Sequence, residues 1–463
     1  MQRGAKKEMG IQQLYDISPV WVQNLMCSVK GWLINRRRYG KAFYAELERY
    51  ENGHYHQTHE LLKMLETVTD MEVYKPYLAE VDWEALKEKP ESIYEVIARF
   101  PVIRKIQVKN NIDSFANPTF QGEKIVMQTS GTTGGGLIFP YSVEMENRQW
   151  AVWWRYRRAL GITQETWCGW FGGKVIVSHR VKNAPFWRVN KPGRQVMFSS
   201  YHLTRETASL YYEEIKKRGL TWLHGYPSHA ARFAAFIIDL GLEPLTKVKY
   251  VTTGAENVLG NQVAAMQKVF PNAIIRQHYG LNEGVANISQ DKDGMWKVDD
   301  DFCYVELIPV SEDNPCVCHI IGTGFSNLAF PLIRYDTGDL ATVERNEKGQ
   351  VVRILSIDGR SSNALRQPSG HDIVEASLSI VLHDFNNIVE AQFHQKSLSD
   401  IELWVVRSKN YSDRDEAQLR TSLEKTFEKG VVCSIKYVDA VERTKAGKLK
   451  IVVNEMPSNL NLA

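Results

Sequence analysis

Between Trp167 and Gly280 short apolar runs alternate with helical patterns, and the runs break or stop at glycines. The run 167–178 breaks at Gly172-Gly173, 221–224 stops at Gly225, 248–253 at Gly254 and 273–279 at Gly280. The intervening stretches 205–218, 228–240 and 258–270 carry helical spacing. Strands separated by helices of roughly 10 to 15 residues predict an α/β chain with mainly parallel sheets, since parallel strands need a crossover element. Ligands of such sheets sit outside the carboxyl ends of the strands. Those ends hold Gly254-Ala255-Glu256 and Tyr279-Gly280-Leu281-Asn282-Glu283, and the earlier run Thr129–Gly136 follows a strand at 124–128.

The flanking sequence divides differently. Residues 46–120 read as mainly helical, and 143–160 as a helix carrying Trp150, Trp153, Trp154 and Tyr156. From 298 to 352 short strands and turns predict an antiparallel β subdomain, closed by Asp358-Gly359-Arg360. Strands at 389–394, 401–406 and 431–438 around a helix at 414–429 predict a small α+β domain. The expected division is a large domain over 1–358 and a small one over 359–463.

Bulk composition narrows the function. A net charge of +3, from 57 basic and 54 acidic residues, does not argue for nucleic acid. Six scattered cysteines in 463 residues fit a reduced compartment rather than a disulfide framework. Cys316, Cys318 and His319 lack a second pair to complete a zinc site and read as part of a packed strand. With no secretory signal and no run of ~18 apolar residues, a cytoplasmic protein is expected. Trp21, Val22, Leu25, Val29, Trp32 and Leu33 recur at helical spacing before Arg36-Arg37-Arg38. This stretch, within 20–38, reads as a helix docked on the protein with a solvated arginine end, ahead of a peripheral helix on a membrane surface.

The run Thr129-Ser130-Gly131-Thr132-Thr133-Gly134 admits two readings, a hairpin turn or a loop presenting backbone N–H groups and hydroxyls to phosphate. It is not a Walker A loop, because no Gly-Lys-Ser/Thr closes it.

Five segments in this order resemble the core motifs of the adenylate-forming superfamily: the glycine run, Tyr279–Glu283, Asp336-Thr337-Gly338-Asp339, Asp358-Gly359-Arg360 and Thr444-Lys445-Ala446-Gly447-Lys448. Gly254-Ala255-Glu256 is similar to the phenylacetate–CoA ligase group, and Pro19–Leu25 with Arg38-Tyr39-Gly40 to the branch found in capsular-polysaccharide gene clusters. The resemblance implies ATP and Mg²⁺ as cofactors. Residues 129–134 would hold the β- and γ-phosphates and Glu283 would bind Mg²⁺. Tyr279 and Gly280 would pack on adenine, with Gly254, Ala255 and Glu256 at the opposite edge, and Asn282 would donate to a phosphate. Asp339 would accept from the ribose hydroxyls, Arg360 would reach the ribose or phosphate, and Lys448 would bridge the α-phosphate and the incoming carboxylate. The small domain would rotate about a hinge after Arg360 and bring Ser369-Gly370-His371 in for a second step.

Three departures stand out. The family's loop usually ends in Pro-Lys, and this chain has Gly136-Leu137. Asn282 replaces the usual Thr or Ser, and Ser361-Ser362-Asn363 replaces the usual acidic hinge. His224, Gly225, Tyr226, Pro227 and Leu281 would line a pocket for a small carboxylic acid, with Trp153, Trp154 and Trp170 either lining it or in the core. His224 or His202 would either contact the carboxylate or be a structural histidine. The expected activity is acid–CoA ligation. Transfer to an amine in polysaccharide biosynthesis, and a catalytically idle nucleotide-binding scaffold, are the alternatives.

Overall fold

The structure, a computed structural model, describes residues 2–129, 136–360, 364–444 and 446–456. The chain folds into two compact units, one built from 1–36, 164–276 and the part from 362 onward, the other from 37–163 and 277–361.

The first unit contains the α/β alternation. Its strands lie in the order Trp187–Asn190, Gln195–Phe198, Cys168–Phe171, Trp222–Gly225, Tyr250–Gly254. Pairing is parallel from Gln195–Phe198 through to Tyr250–Gly254, and only the Trp187–Asn190 edge is antiparallel. The helices Ala208–Arg218, Pro227–Asp239 and Gly260–Val269 pack on this sheet around buried Val196, Phe198, Tyr211, Phe233, Val251 and Phe270. Local chemistry sets the helix limits. Pro227 opens its helix at the first position, where its missing N–H costs nothing, and Gly219 closes another with a left-handed φ of 58°.

The small C-terminal domain is also as expected in class. Its four strands run in the order Val432–Tyr437, Asp400–Arg407, Ile388–Gln395, Val452–Asn454, with helices Glu375–Leu382 and Asp413–Thr426. Ser412 caps the second helix by accepting from the Asp415 amide, while Leu378, Phe393, Leu403, Leu419 and Leu423 form a core of their own. Val389, Val406 and Val441 instead pack into the core of the parallel sheet.

In the second unit the expected antiparallel subdomain appears as Cys303–Pro309, Val317–Gly324, Tyr335–Arg345 and Val351–Arg360. Cys318 is buried in that subdomain, but Cys316 is exposed. Two expectations change. Lys124–Gln128 pairs antiparallel with Ile138–Ser142 in a sheet of their own, so the glycine run joins the arms of a hairpin. The connection is too short for a parallel crossover. Likewise the strand bearing Tyr279 pairs antiparallel with Asn287–Gln290. The arginine end of the Val20–Arg38 helix is not simply solvated: Arg37 clasps Glu146 through two bonds of 2.7 and 2.8 Å, and Arg38 reaches the same carboxylate at 3.2 Å. Among the described residues no helix is long and apolar enough to cross a membrane.

Candidate active site

The sequence-derived site residues gather in two clusters, one in each unit. Ser130, Gly131, Thr132, Thr133, Gly134, the hinge triad 361–363 and Lys445 lie outside the described residues.

The first cluster forms at the loop end of the hairpin. Thr129 is buried, and its amide donates to the Leu137 carbonyl at 2.9 Å while its hydroxyl accepts from the Leu137 amide at 2.9 Å. This double bond clamps the base of the glycine run. The same hydroxyl accepts from the Lys105 ammonium at 3.4 Å. Lys105 arrives there because Ile103–Arg104 pairs in parallel with Tyr335–Asp336, seating the next residue against the 335–339 segment. Register does the same for the other charges. Asp339 stands opposite Arg360 across two antiparallel strands, with Arg360 Nε 3.7 Å from Asp339 Oδ1. The Tyr279 hydroxyl donates to Asp339 Oδ2 at 2.8 Å, and the Asp339 amide donates to Thr337 Oγ1.

Burial shifts the titration of several groups in this cluster. Burial pushes the Glu283 carboxyl above the usual carboxylate range, and Asp339 pushes it the same way, while Lys105 and Arg360 pull it back. Burial also lowers the Lys105 ammonium below its usual range, with Arg360 adding to the fall and Glu283 opposing it. Tyr279 is raised well above its usual value by burial and by the Asp339 carboxylate it faces. A buried carboxyl and an ammonium that feel each other's charge, both shifted by burial, mark a candidate charge-handling site. Gly280, Leu281 and Asn282 follow in the turn, with Asn282 exposed and the Leu281 carbonyl accepting from Gln149 at 3.1 Å.

The second cluster surrounds Lys448. Its ammonium lies 5.9 Å from the Tyr226 ring centroid. The neighbouring Leu449 amide donates to Glu256 Oε1 at 2.7 Å, and the Ser228 amide donates to Glu256 Oε2 at 3.2 Å. The Glu256 carboxylate, expected at the edge of an adenine pocket, is therefore engaged by two backbone N–H groups, one of them beside Lys448. Burial raises its carboxyl, and Arg443 is the main opposing charge. Arg443 in turn donates to Ser228 Oγ at 2.9 Å and pairs with Glu390. Close approach completes the seat: a Cβ on Gly173 would fall 1.7 Å from the Ala446 carbonyl oxygen. Gly254 ends its strand buried, and Ala255 turns the chain with a left-handed φ of 69°.

The remaining expected residues divide. His224 Nδ1 lies 2.9 Å from both the carbonyl and the hydroxyl of Thr252, and His202 uses both ring nitrogens, on Ser199 and Val181, as a structural histidine does. Gly225 is required by packing, since a Cβ there would meet the Phe171 carbonyl at 2.0 Å, and Pro227 opens the next helix. Trp153 donates to Asn287 at 3.1 Å and Trp154 to Tyr39 at 3.1 Å. Ser369, Gly370 and His371 form an exposed turn between two short strands, where the Ser369 amide is held by Glu428. Lys105 is the residue sequence reasoning missed. A single lysine in a helical region carries no local mark, and only pairing with Tyr335–Asp336 brings it to the site.

Comparison with known proteins finds similarity in sequence and in fold. Residues 365–455 match the family described as the CapK C-terminal domain. The chain is 25% identical to Protein CapK of Staphylococcus aureus over 462 residues, covering 96% of this chain and all of that protein. Its fold is similar to 2-hydroxyisobutyryl-CoA ligase in the postadenylation state with 2-HIB-AMP, with a TM-score of 0.60, 15% identity and coverage of 86% of this chain and 89% of that one. It is also similar to an anthranilate CoA ligase in complex with anthranoyl-AMP, with a TM-score of 0.51, 13% identity and coverage of 79% and 75%.

Proposed function

From the premise of an adenylate-forming fold and full-length similarity to CapK, we propose that this chain is an ATP-dependent ligase that adenylates a small carboxylic acid and passes the acyl group to CoA. The observation that carries the reading is the charge cluster of Lys105, Glu283, Asp339 and Arg360 near Thr129, at the loop end of the hairpin. In the reaction a carboxylate oxygen attacks the α-phosphorus of ATP, the bond to the bridging oxygen breaks, and pyrophosphate leaves. Such a step needs positioning and neutralisation of charge more than covalent work.

Each residue then has a part. The Thr129 clamp holds the glycine run, and Lys105 supplies the phosphate-binding ammonium that Gly136-Leu137 does not. Two neighbouring carboxylates, one buried with its carboxyl raised, suit a hard divalent cation, so Glu283, with Asp339 near it, would hold Mg²⁺. When bound, that ion neutralises phosphate charge. Asp339, oriented by Tyr279 and Arg360, accepts from the ribose hydroxyls. Lys448 supplies the ammonium for the α-phosphate and the incoming carboxylate. A scaffold has no need of all these groups together.

The second reading, amide transfer in capsule synthesis, is supported by the similarity to CapK and by the non-acidic hinge Ser361-Ser362-Asn363. Acid-dependent ATP–pyrophosphate exchange over aryl and short-chain acids tests the adenylation, with product analysis in the presence of CoA or amines. Exchange with no acid on the panel removes the ligase reading. A CoA thioester removes the amine reading, and an amide removes the CoA one.

A further inference from the structure

The Val20–Arg38 helix is attached to the protein by its polar side. Asn24 Oδ1 accepts from the Val189 amide at 2.8 Å, and the Ser28 hydroxyl donates to the Val189 carbonyl at 3.3 Å and accepts from the Lys191 amide at 3.2 Å. Asn35 donates to the Pro192 carbonyl at 2.8 Å, and Gln23 accepts from buried Arg188. A Cβ on Gly31 would lie 2.0 Å from Asn190 Oδ1, so the glycine lets the helix come close. Val189 and Asn190 belong to the edge strand Trp187–Asn190, whose outer N–H and C=O groups would otherwise be unpaired. Polar helix residues pair with that edge.

The consequence is an inside-out amphipathic helix. At about 100° per residue the docking residues occupy one arc, and Trp21, Leu25, Val29, Trp32 and Leu33 fill another of about 120°. These five are 50–69% exposed. Ile11, Leu14 and Ile17 of the preceding helix, Gln2–Ile17, are exposed by 57–82%. A chain seldom leaves this much contiguous apolar surface in water without a use for it.

We infer that the face formed by Trp21, Leu25, Val29, Trp32 and Leu33 is a docking surface for an anionic lipid membrane. Charge selects this occupant. Residues 2–36 carry Arg3, Lys6, Lys7, Lys30 and Arg36 against Glu8 and Asp16. Arg36 falls within the apolar arc, its guanidinium 5.7 Å from the Trp32 ring centroid, and exposed Lys30 lies about 60° beyond the arc's edge. Tryptophan and aliphatic groups bordered by basic residues are the composition of helices that lie in the headgroup layer. The helix, 19 residues long, is not apolar enough to cross. The inference does not depend on the ligase reading.

Flotation of the full chain on phosphatidylglycerol/phosphatidylcholine vesicles tests it. Binding to the anionic vesicles is expected, weaker on pure phosphatidylcholine and weaker at high salt. The W21E/W32E variant should lose roughly tenfold or more, and K30E or R36E about fivefold each, with melting temperatures unchanged. Absence of binding to the anionic vesicles, or undiminished binding by W21E/W32E, would overturn the inference. So would a dimer, detected by light scattering, that W21E/W32E converts to a monomer while wild type ignores vesicles, since the face then belongs to a second copy.

Discussion

Each cluster holds a buried glutamate whose carboxyl is raised by burial, and the two differ in what faces it. Around Glu256 each carboxylate oxygen accepts a backbone N–H, and Arg443 is tied to both Ser228 and Glu390. Around Glu283 a buried carboxyl with a raised pKa shares its surroundings with a desolvated lysine, and Lys105 is bonded to a neutral hydroxyl. The Leu449 bond ties Glu256 to the loop bearing Lys448. Facing charges of opposite sign, both shifted by burial, mark a candidate site for a charged ligand. On the proposed function the first region would hold the Lys448 loop and the second would receive phosphate and metal.

Variants can break or sharpen that contrast. The largest effect is expected from Lys448→Ala: exchange should fall by about two to three orders of magnitude, with ATP affinity within a fewfold of wild type by calorimetry. Lys105→Met should follow, costing about 10- to 100-fold in kcat/KM with most of the loss in KM for ATP, and partly restored in Lys105→Arg. An unchanged KM for ATP would return Lys105 to a structural role. Glu256→Gln should reduce exchange by about tenfold while leaving ATP affinity alone, because it loosens the Lys448 loop. A weakened nucleotide affinity would instead restore Glu256 to the adenine edge.

The smallest effect separates stability from activity. A carboxyl whose folded pKa is raised contributes stability below its unfolded pKa, and that contribution is lost as pH rises through the folded value. Glu283→Gln should therefore match wild type near pH 4.5, the ordinary glutamate value, and melt about 1–3 °C higher at neutral pH in the absence of ligand. The same variant should need more Mg²⁺ for exchange. A melting difference independent of pH would mean that Glu283 carries no buried charge in the folded protein.

The apolar helix of residues 20–38 gives the clearest example of what sequence can mislead about. Its periodicity was legible, and so was the helix. The direction of its apolar face was not, because periodicity reports that a face exists and not which side of it meets the protein. Here an edge strand drew the polar side inward.

Local pattern by itself determined the alternating strands and helices of 167–280, the antiparallel run before Arg360 and the small α+β domain. These depend on period, glycine punctuation and spacing, which are properties of neighbouring residues. Tertiary structure alone decided that Lys105 joins Thr129, that Glu256 grips the Leu449 amide, and that Trp21 and Trp32 face outward. Each of these is set by pairing or packing between segments far apart in the chain. A residue's immediate neighbours do not encode which distant strand edge it will meet.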